Sequence, residues 1–135
     1  MPGGRLAVSV WRALEFAPWQ LAVTDALTRR VGPEAAAGIR GAFTLDDGQE
    51  LHALLVGSGF REVRVEIESR TIRYSPLAEF VSGYLSATPA AGVVAGLDAS
   101  VQAAILDDVN EALRSHMEDG GLAAPIESHV AFGLA

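Results

Sequence analysis

The chain has 135 residues, half of them hydrophobic and a fifth charged, which is typical of one globular domain spanning residues 1–135. Ten basic residues, all arginine, stand against 17 acidic ones, and the net charge of −7 argues against a nucleic-acid partner, whose phosphates require clustered positive charge. The chain has no cysteine, which excludes disulfides and thiolate chemistry and predicts a cytoplasmic protein.

The first third of the chain predicts one strand and two helices. A Pro2-Gly3-Gly4 turn precedes a strand over Leu6–Trp11, whose unbroken apolar sequence predicts burial on both faces. Pro18 suits the first residue of a helix that ends at Val31-Gly32-Pro33. A short alanine-rich helix over Glu34–Arg40 follows.

The middle of the chain predicts a helix and an edge strand. Asp46 or Asp47 caps the helix and Gly57-Ser58-Gly59 ends it. Its inward residues are Leu51, Leu54 and Leu55. Glu62–Glu68 then alternates strictly between charged and apolar residues, as in a strand with one exposed face. The alternation changes phase near Ser69–Arg70, which predicts a bulge there.

A helical segment follows. Ser75 and Pro76 predict its N-cap and first turn. The uncharged stretch Phe80–Leu97 approaches the length of a membrane span, but Thr88-Pro89 divides it, so we expect two short packed helices and no membrane partner.

The C-terminal part predicts the longest helix and a last strand. Asp98 caps the helix, and Asp119-Gly120-Gly121 ends it. Its apolar stripe is Val101, Ile105, Val109, Leu113 and Met117. His129–Leu134 is apolar on both faces and predicts an interior strand.

In this order, these segments resemble the C-terminal half of a class I S-adenosylmethionine-dependent methyltransferase of the small-molecule type. "PGGRLAVSVW" (Pro2–Trp11) is similar to the family's turn and fifth strand, and "LLVGSGFREVRVE" (Leu54–Glu66) to the helix end that leads into the sixth strand. Residues 75–121 resemble a helical insertion before the last strand, and "DGGLAAPIESHVAFGLA" (Asp119–Ala135) resembles its exit. The resemblance extends over the whole chain.

The resemblance implies an α/β fold, a partial Rossmann-like methyltransferase sheet of three strands. The expected spatial order is first, last, middle, with the last strand antiparallel to the others. The hydrophobic pattern supports that order, because the strand that is exposed on one face belongs at an edge. Residues 75–121 would form a helical insertion within the single domain.

S-adenosylmethionine is the cofactor that the resemblance implies, yet no cofactor-binding residue can be carried over. The family holds the methyl donor with a glycine-rich turn after its first strand and an acidic residue after its second. Both positions precede the Pro-Gly-Gly turn, and no G-x-G-x-G follows a predicted strand here, since Gly92–Gly96 lies in the helical segment. We therefore expect this chain not to bind the donor by itself.

Candidate substrate-binding residues follow the first strand and lie in or beside the helical segment, because ligands of open α/β sheets bind beyond the carboxyl ends of strands. These candidates are Trp11, Arg12, Phe16, Trp19, Tyr74 and Tyr84, with Phe80 beside them. Helix packing and core roles are the alternative for each. The histidines His52, His116 and His129 have no metal-ligand spacing, so no metal site is expected and no catalytic residue is assigned.

Two functions remain open at this point. One is a methyltransferase-like protein that carries the substrate side of the fold; the other is a non-catalytic ligand-binding or dimerisation module derived from the same fold. The uncharged strand Leu6–Trp11 predicts a homodimer that covers it. A partner chain that supplies the donor-binding half is the other candidate partner.

Overall fold

The computed structural model describes residues 3–135, so Pro2 of the predicted turn lies outside it, while Gly3 is in a turn with φ of 84°. The fold is α/β. Its strands are β1 (Arg5–Trp11), β2 (Arg61–Tyr74), β3 (Met117–Glu118) and β4 (Gly121–Leu134). Its helices are α1 (Pro18–Arg30), α2 (Pro33–Gly41), α3 (Gly48–Gly57), α4 (Leu77–Ser86), α5 (Ala91–Ala95) and α6 (Ala99–Ala112), with short 3-10 helices at Leu14–Phe16 and Arg114–His116.

The sheet has the spatial order β1-β4-β2, and β4 is antiparallel to both of its neighbours. The predicted order and the antiparallel last strand are therefore confirmed. The prediction of three strands was incomplete, because β4 begins at Gly121 rather than His129 and its first residues form a hairpin with β3. Asp119 and Gly120 make that hairpin turn with φ of 50° and 79°.

Helices cover opposite faces at the two ends of the sheet. Leu122 and Ala124 of β4 are buried in the main core with α1, α2, α4 and α6, and Ile72 of β2 packs against the same core. Val65 and His129 lie on the other face, where an added Cβ at Gly48 in α3 would meet both side chains. Because helices cover one face of β2 near Val65 and the opposite face near Ile72, the apolar side chains switch from one face of the strand to the other along its length.

The bulge predicted at Ser69–Arg70 was wrong. The pairing of β2 with β4 runs without a break from Arg64 to Tyr74, and the register shift lies between Arg61 and Arg64. Glu62, inside that shift, has a φ of 51°. The change of phase in the sequence thus marks a change in which face is covered, not an irregularity of the backbone.

The prediction that the first strand is buried on both faces was also wrong. Side chains of β1 alternate between exposed and half-buried, and none is fully buried. Within residues 3–135 only β4 pairs with β1, which makes it an edge strand. Its apolar composition therefore does not reflect burial by the described part of the chain.

Most helix predictions are confirmed, with three corrections at helix ends and faces. Pro18 begins α1, and the Asp47 side chain caps α3 by accepting a hydrogen bond from the Gln49 N–H at 2.8 Å. Leu51 is buried but Leu54 is 52% exposed, because α3 covers only the β2–β4 end of the sheet. The N-cap of α4 is Pro76 rather than Ser75.

The end of α6 is the third correction. The helix ends at Ala112, before the predicted stop at residues 119–121, because residues 114–116 form a 3-10 turn and Met117 enters β3. Between α4 and α5 the chain turns at Thr88-Pro89, as predicted. Among residues 3–135, the structure contains no helix that combines the length and the apolar character needed to cross a membrane.

Candidate functional site

Four aromatic side chains meet where α1, α4 and the end of β2 converge. Trp19 is in the first turn of α1, Tyr74 is the last residue of β2, and Phe80 and Tyr84 lie one turn apart on α4. We call these four residues the aromatic cluster. Proline at the start of α1 fixes where that helix begins, and therefore where Trp19 enters the cluster.

The contacts within the aromatic cluster are close and specific. The Trp19 ring meets Phe80 and Tyr84 edge-on, with centroids 5.0 and 4.7 Å away. Tyr74 stacks on Phe80 with centroids 4.3 Å apart. Such aromatic pairs contribute roughly 0.5–1.5 kcal/mol each beyond their buried area. The cluster is thus a mostly apolar wall of packed rings, with two phenol hydroxyls, those of Tyr74 and Tyr84.

Polar groups inside this wall are only partly satisfied. The buried Gln20 donates from Nε2 to the Tyr84 Oη at 3.3 Å. Burial raises the pKa of Tyr84 above its usual value, against the opposing effect of that hydrogen bond, so the phenol is neutral near pH 7. Within residues 3–135, Trp19 Nε1 and Gln20 Oε1 are buried without a hydrogen-bond partner. Each such atom costs about 1–3 kcal/mol of stability.

A depression of about 410 Å³ opens beside the aromatic cluster. Tyr74, Phe80 and Tyr84 line it, together with Glu79 and Gly83 of α4. An added Cβ at Gly83 would meet no atom within 4 Å, so glycine leaves this part of the depression open. The site combines planar aromatic surface with one carboxylate, an arrangement suited to a flat aromatic molecule that bears a polar group.

The other candidates lie in two further groups. The Arg12 guanidinium stands 3.4 Å above the centre of the Phe16 ring and also binds the Glu127 carboxylate at 2.5 Å. The Arg12 backbone N–H donates to the Glu127 carbonyl, which fixes this residue to β4. Trp11 stacks against Phe43, with centroids 6.4 Å apart. Arg12 is therefore already engaged by a carboxylate and an aromatic ring.

The structure thus brings Trp19, Tyr74 and Tyr84 together, with Phe80 among them. Gln20 and Glu79 were not among the predicted site residues. Helical spacing could have indicated Glu79. Glu79 and Gly83 are four residues apart on α4, as are Phe80 and Tyr84, so the two pairs lie side by side on the helix. Nothing in the sequence singled out Gln20, a polar residue buried among apolar neighbours of α1.

The structure supplies no metal-binding constellation in residues 3–135. His129 is buried, and its Nε2 lies 2.7 Å from the Asp46 carbonyl oxygen, an interaction that links β4 to the residues just before α3. A structural role in packing α3 on the sheet accounts for this histidine.

A second cavity, about 540 Å³, lies between α4, α5 and α6. Val81, Leu85, Val94 and Ile105 give it a largely apolar lining. Gln102 at its edge donates to the carbonyls of Val94 and Leu97, so its amide hydrogens hold the α5–α6 connection.

No protein-family model matches the chain, and no curated protein matches it.

Proposed function

We propose that this chain is the substrate-side portion of an S-adenosylmethionine-dependent methyltransferase-like protein, with a Rossmann-like arrangement of its strands. The observation that carries the proposal is the sheet order β1-β4-β2 with β4 antiparallel to both neighbours. The family resemblance of the sequence implies this order for its fifth, seventh and sixth strands.

The positions of the quoted sequence segments in the fold also support the proposal. Gly3, in a turn, leads into β1, and Gly59, with φ of 91°, leads from α3 through Phe60 into β2. Three helices, α4 to α6, stand between β2 and the last strand. The agreement of position as well as sequence supports the proposal.

The aromatic cluster and its depression are the proposed acceptor site. Methyl transfer requires the acceptor atom, the methyl group and the sulfur to lie in line, so the main contribution of the protein is positioning. A wall of stacked rings positions a flat aromatic acceptor, and the Glu79 carboxylate that lines the depression can accept a hydrogen bond from the polar group of that acceptor.

The part of the chain that the structure describes, residues 3–135, offers no glycine-rich strand-to-helix turn for the methyl donor. Neither β1 nor β2 is followed by a glycine-rich turn into a helix: residues 12–17 follow β1, and Ser75-Pro76 follows β2. Backbone N–H groups in such a turn are what would hold the donor. The proposed chain therefore contributes the acceptor side alone, and S-adenosylmethionine would be held by residues outside it.

The acceptor site can be tested through Trp19 fluorescence. A Trp11→Phe background leaves Trp19 as the single tryptophan, and 1-naphthol is a suitable hydroxylated aromatic probe. We expect saturable quenching of Trp19 by the probe, and loss of quenching when Gly83→Phe fills the depression.

Gly92→Phe is the matched control, because an added Cβ at Gly92 also meets no atom within 4 Å but lies on α5. Quenching in that variant should match the background. Absence of quenching, or quenching that persists in Gly83→Phe, would contradict the proposed acceptor site.

The alternative function is a non-catalytic ligand-binding or dimerisation module. The apolar cavity between α4, α5 and α6 is the observation that favours ligand binding. The naphthol experiment separates the two. Quenching that survives Gly83→Phe but is abolished by Ala103→Phe, which fills the cavity between α4, α5 and α6, would favour this alternative.

A further inference from the structure

Within residues 3–135, no strand pairs with the outer edge of β1, the edge that faces away from β4. In the ladder with β4, the Ala135 N–H donates to the Gly4 carbonyl, and the Arg12 N–H donates to the Glu127 carbonyl. Hydrogen-bonded pairs recur at every second residue of an antiparallel ladder. The even-numbered residues of β1 therefore bond to β4, and the N–H and C=O groups of Arg5, Ala7, Ser9 and Trp11 point away from the sheet.

The side chains of this edge do not protect it. Natural edge strands usually carry a lysine, a proline, a bulge or an inward-pointing charge that prevents pairing. Between Arg5 and Arg12 the strand has no charge and no proline, and its seven residues pair with β4 in an unbroken register. Ala7 and Ser9, both exposed, are small enough to let another backbone approach.

We propose that two copies of this chain join through β1, antiparallel, about a two-fold axis at Val8. With a two-fold axis perpendicular to the sheet, each residue must pair with a residue of the second copy whose side chain lies on the same face of the sheet. Successive side chains of a strand alternate between faces, so odd-numbered residues pair only with odd-numbered ones and even-numbered residues only with even-numbered ones. One of the registers allowed in this way pairs all seven residues. It places Val8 opposite the partner's Val8, Ala7 opposite the partner's Ser9, and Arg5 opposite the partner's Trp11.

The pairs in that register are complementary. Outward-pointing backbone groups meet outward-pointing ones, because Arg5, Ala7, Ser9 and Trp11 pair only among themselves. Arg5 and Trp11 are both exposed, and their pairing sets a guanidinium against an indole at both ends of the interface. Leu6 meets Val10 on the opposite face, where both are half-buried.

A groove beside the strand adds a place for the second copy. Ser9, Val10 and Trp11 line one side of it, and Ala42, Thr44 and Leu45 line the other, around a volume of about 350 Å³. In the proposed register, Arg5 to Ala7 of the second copy lie against Ser9 to Trp11 and enter this groove. The self-complementary sequence and this groove favour a second copy over an unrelated strand.

Cysteine cross-linking tests both the partner and the register. The chain has no native cysteine, so a Val8→Cys variant presents one thiol. Position 8 forms a pair without hydrogen bonds to the partner's position 8, with Cα atoms about 4.5 Å apart, which is within the range of a disulfide. We expect near-complete disulfide dimer in oxidised glutathione.

Val10→Cys is the matched control. In the proposed register, residue 10 of one copy and residue 10 of the other lie roughly 13 Å apart along the strands, too far for a disulfide. It should stay reduced and yet sediment as a dimer of about 28 kDa, twice 14.1 kDa. Cross-linking of Val10→Cys in place of Val8→Cys, or a wild-type chain that sediments at about 14 kDa at 200 µM, would overturn the proposal. So would a monomer that pairs only with a separate donor-binding chain.

Charged substitutions on β1 give a second test of the dimer that does not rely on the cysteine variants. Ala7→Glu with Ser9→Glu places carboxylates opposite each other only in the dimer, and should raise its Kd at least about tenfold. Mixing this variant with one that carries Ala7→Lys and Ser9→Lys should restore a dimer. A Glu variant that dimerises as tightly as the wild type would contradict β1 pairing. The result is independent of methyl-donor or acceptor binding, so it can fail while the proposed function stands.

Discussion

Asp108 is the acid that joins the two longest helices of the main core. Its carboxylate accepts hydrogen bonds from Nε and an Nη nitrogen of Arg30 at 2.8 and 2.7 Å, and Arg29 approaches it to 3.3 Å. The hydrogen bond from Arg30 holds the pKa of Asp108 below its ordinary value of 3.8. A bidentate arginine–carboxylate pair fixes orientation as well as distance, and here it orients α1 against α6.

The lowered pKa sets a direction for the dependence of stability on pH. A carboxyl whose pKa is lower in the folded state than in the unfolded state stabilises the folded state at every pH above its unfolded-state pKa. That stabilisation is lost as the pH falls through the folded-state pKa. We expect Asp108→Asn to lower Tm at pH 7 by about 2–4 °C, with the difference from wild type shrinking below pH 3.8. Thermal unfolding followed by circular dichroism measures this. Asp107→Asn, at the exposed neighbouring position, is the control and should lower Tm by less at pH 7. An Asp108→Asn difference in Tm that does not shrink as the pH falls below 3.8 would contradict the assignment.

Sequence patterns predicted the residues of the candidate site only where those residues are aromatic and lie at helical spacing, the same pattern that predicts a hydrophobic core. Trp19 follows a helix-starting proline, and Tyr84 lies one helical turn after Phe80, so pattern alone brought both forward. Gln20 could not be found in this way, because its role depends on burial beside Tyr84, a contact between residues 64 positions apart. Arg12, a predicted substrate-binding residue, binds Glu127, which is 115 positions away, and local sequence could not reveal that contact either.

At the scale of elements, β2 and β4 form the longest ladder, and its far end depends on a glycine. An added Cβ at Gly121 would lie 2.6 Å from the Tyr74 carbonyl oxygen and 2.8 Å from the Ser75 Cβ. Both neighbours belong to the junction of β2 with α4, so neither can yield without moving the backbone. Glycine at 121 therefore allows the two strands to approach where the aromatic cluster begins.

Gly121→Ala should lower the free energy of unfolding by about 1–3 kcal/mol, as in other overpacked sites. Gly57→Ala is the control, because an added Cβ at the end of α3 meets nothing within 4 Å and alanine favours the helix by up to about 1 kcal/mol. Urea unfolding of both variants gives the comparison. Equal stability of Gly121→Ala and wild type would show that the close approach at Tyr74 does not exist.

The elements themselves were largely predictable, and their limits were not. Alternation of charged and apolar residues identified β2 as amphipathic, but Ile72 and Tyr74 carry the apolar positions of the opposite face, which made one 14-residue strand look interrupted. β4 was predicted to start at His129, where the apolar run begins, yet Pro125 already pairs with Thr71 inside the ladder. Local sequence could not reveal either point, since both depend on which helices cover which face.

At the scale of the whole molecule, the sheet separates two surfaces with different roles. The aromatic cluster lies at the Tyr74 end of β2, beside α4, whereas the open edge belongs to β1, on the far side of β4. Acceptor binding and self-association therefore use different residues and can be tested separately. In the proposed function, the open edge of β1 is also where donor-binding strands would join, so a second copy of this chain and a donor-binding half would compete for it.

The central claim is that this chain supplies the acceptor side of a methyltransferase-like fold without the methyl-donor site. Isothermal titration of the folded chain with S-adenosylmethionine tests it most directly, with S-adenosylhomocysteine as a second ligand and an intact methyltransferase as the positive control. We expect no saturable heat from either ligand. A dissociation constant tighter than about 100 µM, on the order of −5.5 kcal/mol, would contradict the claim and place a donor site within these 135 residues.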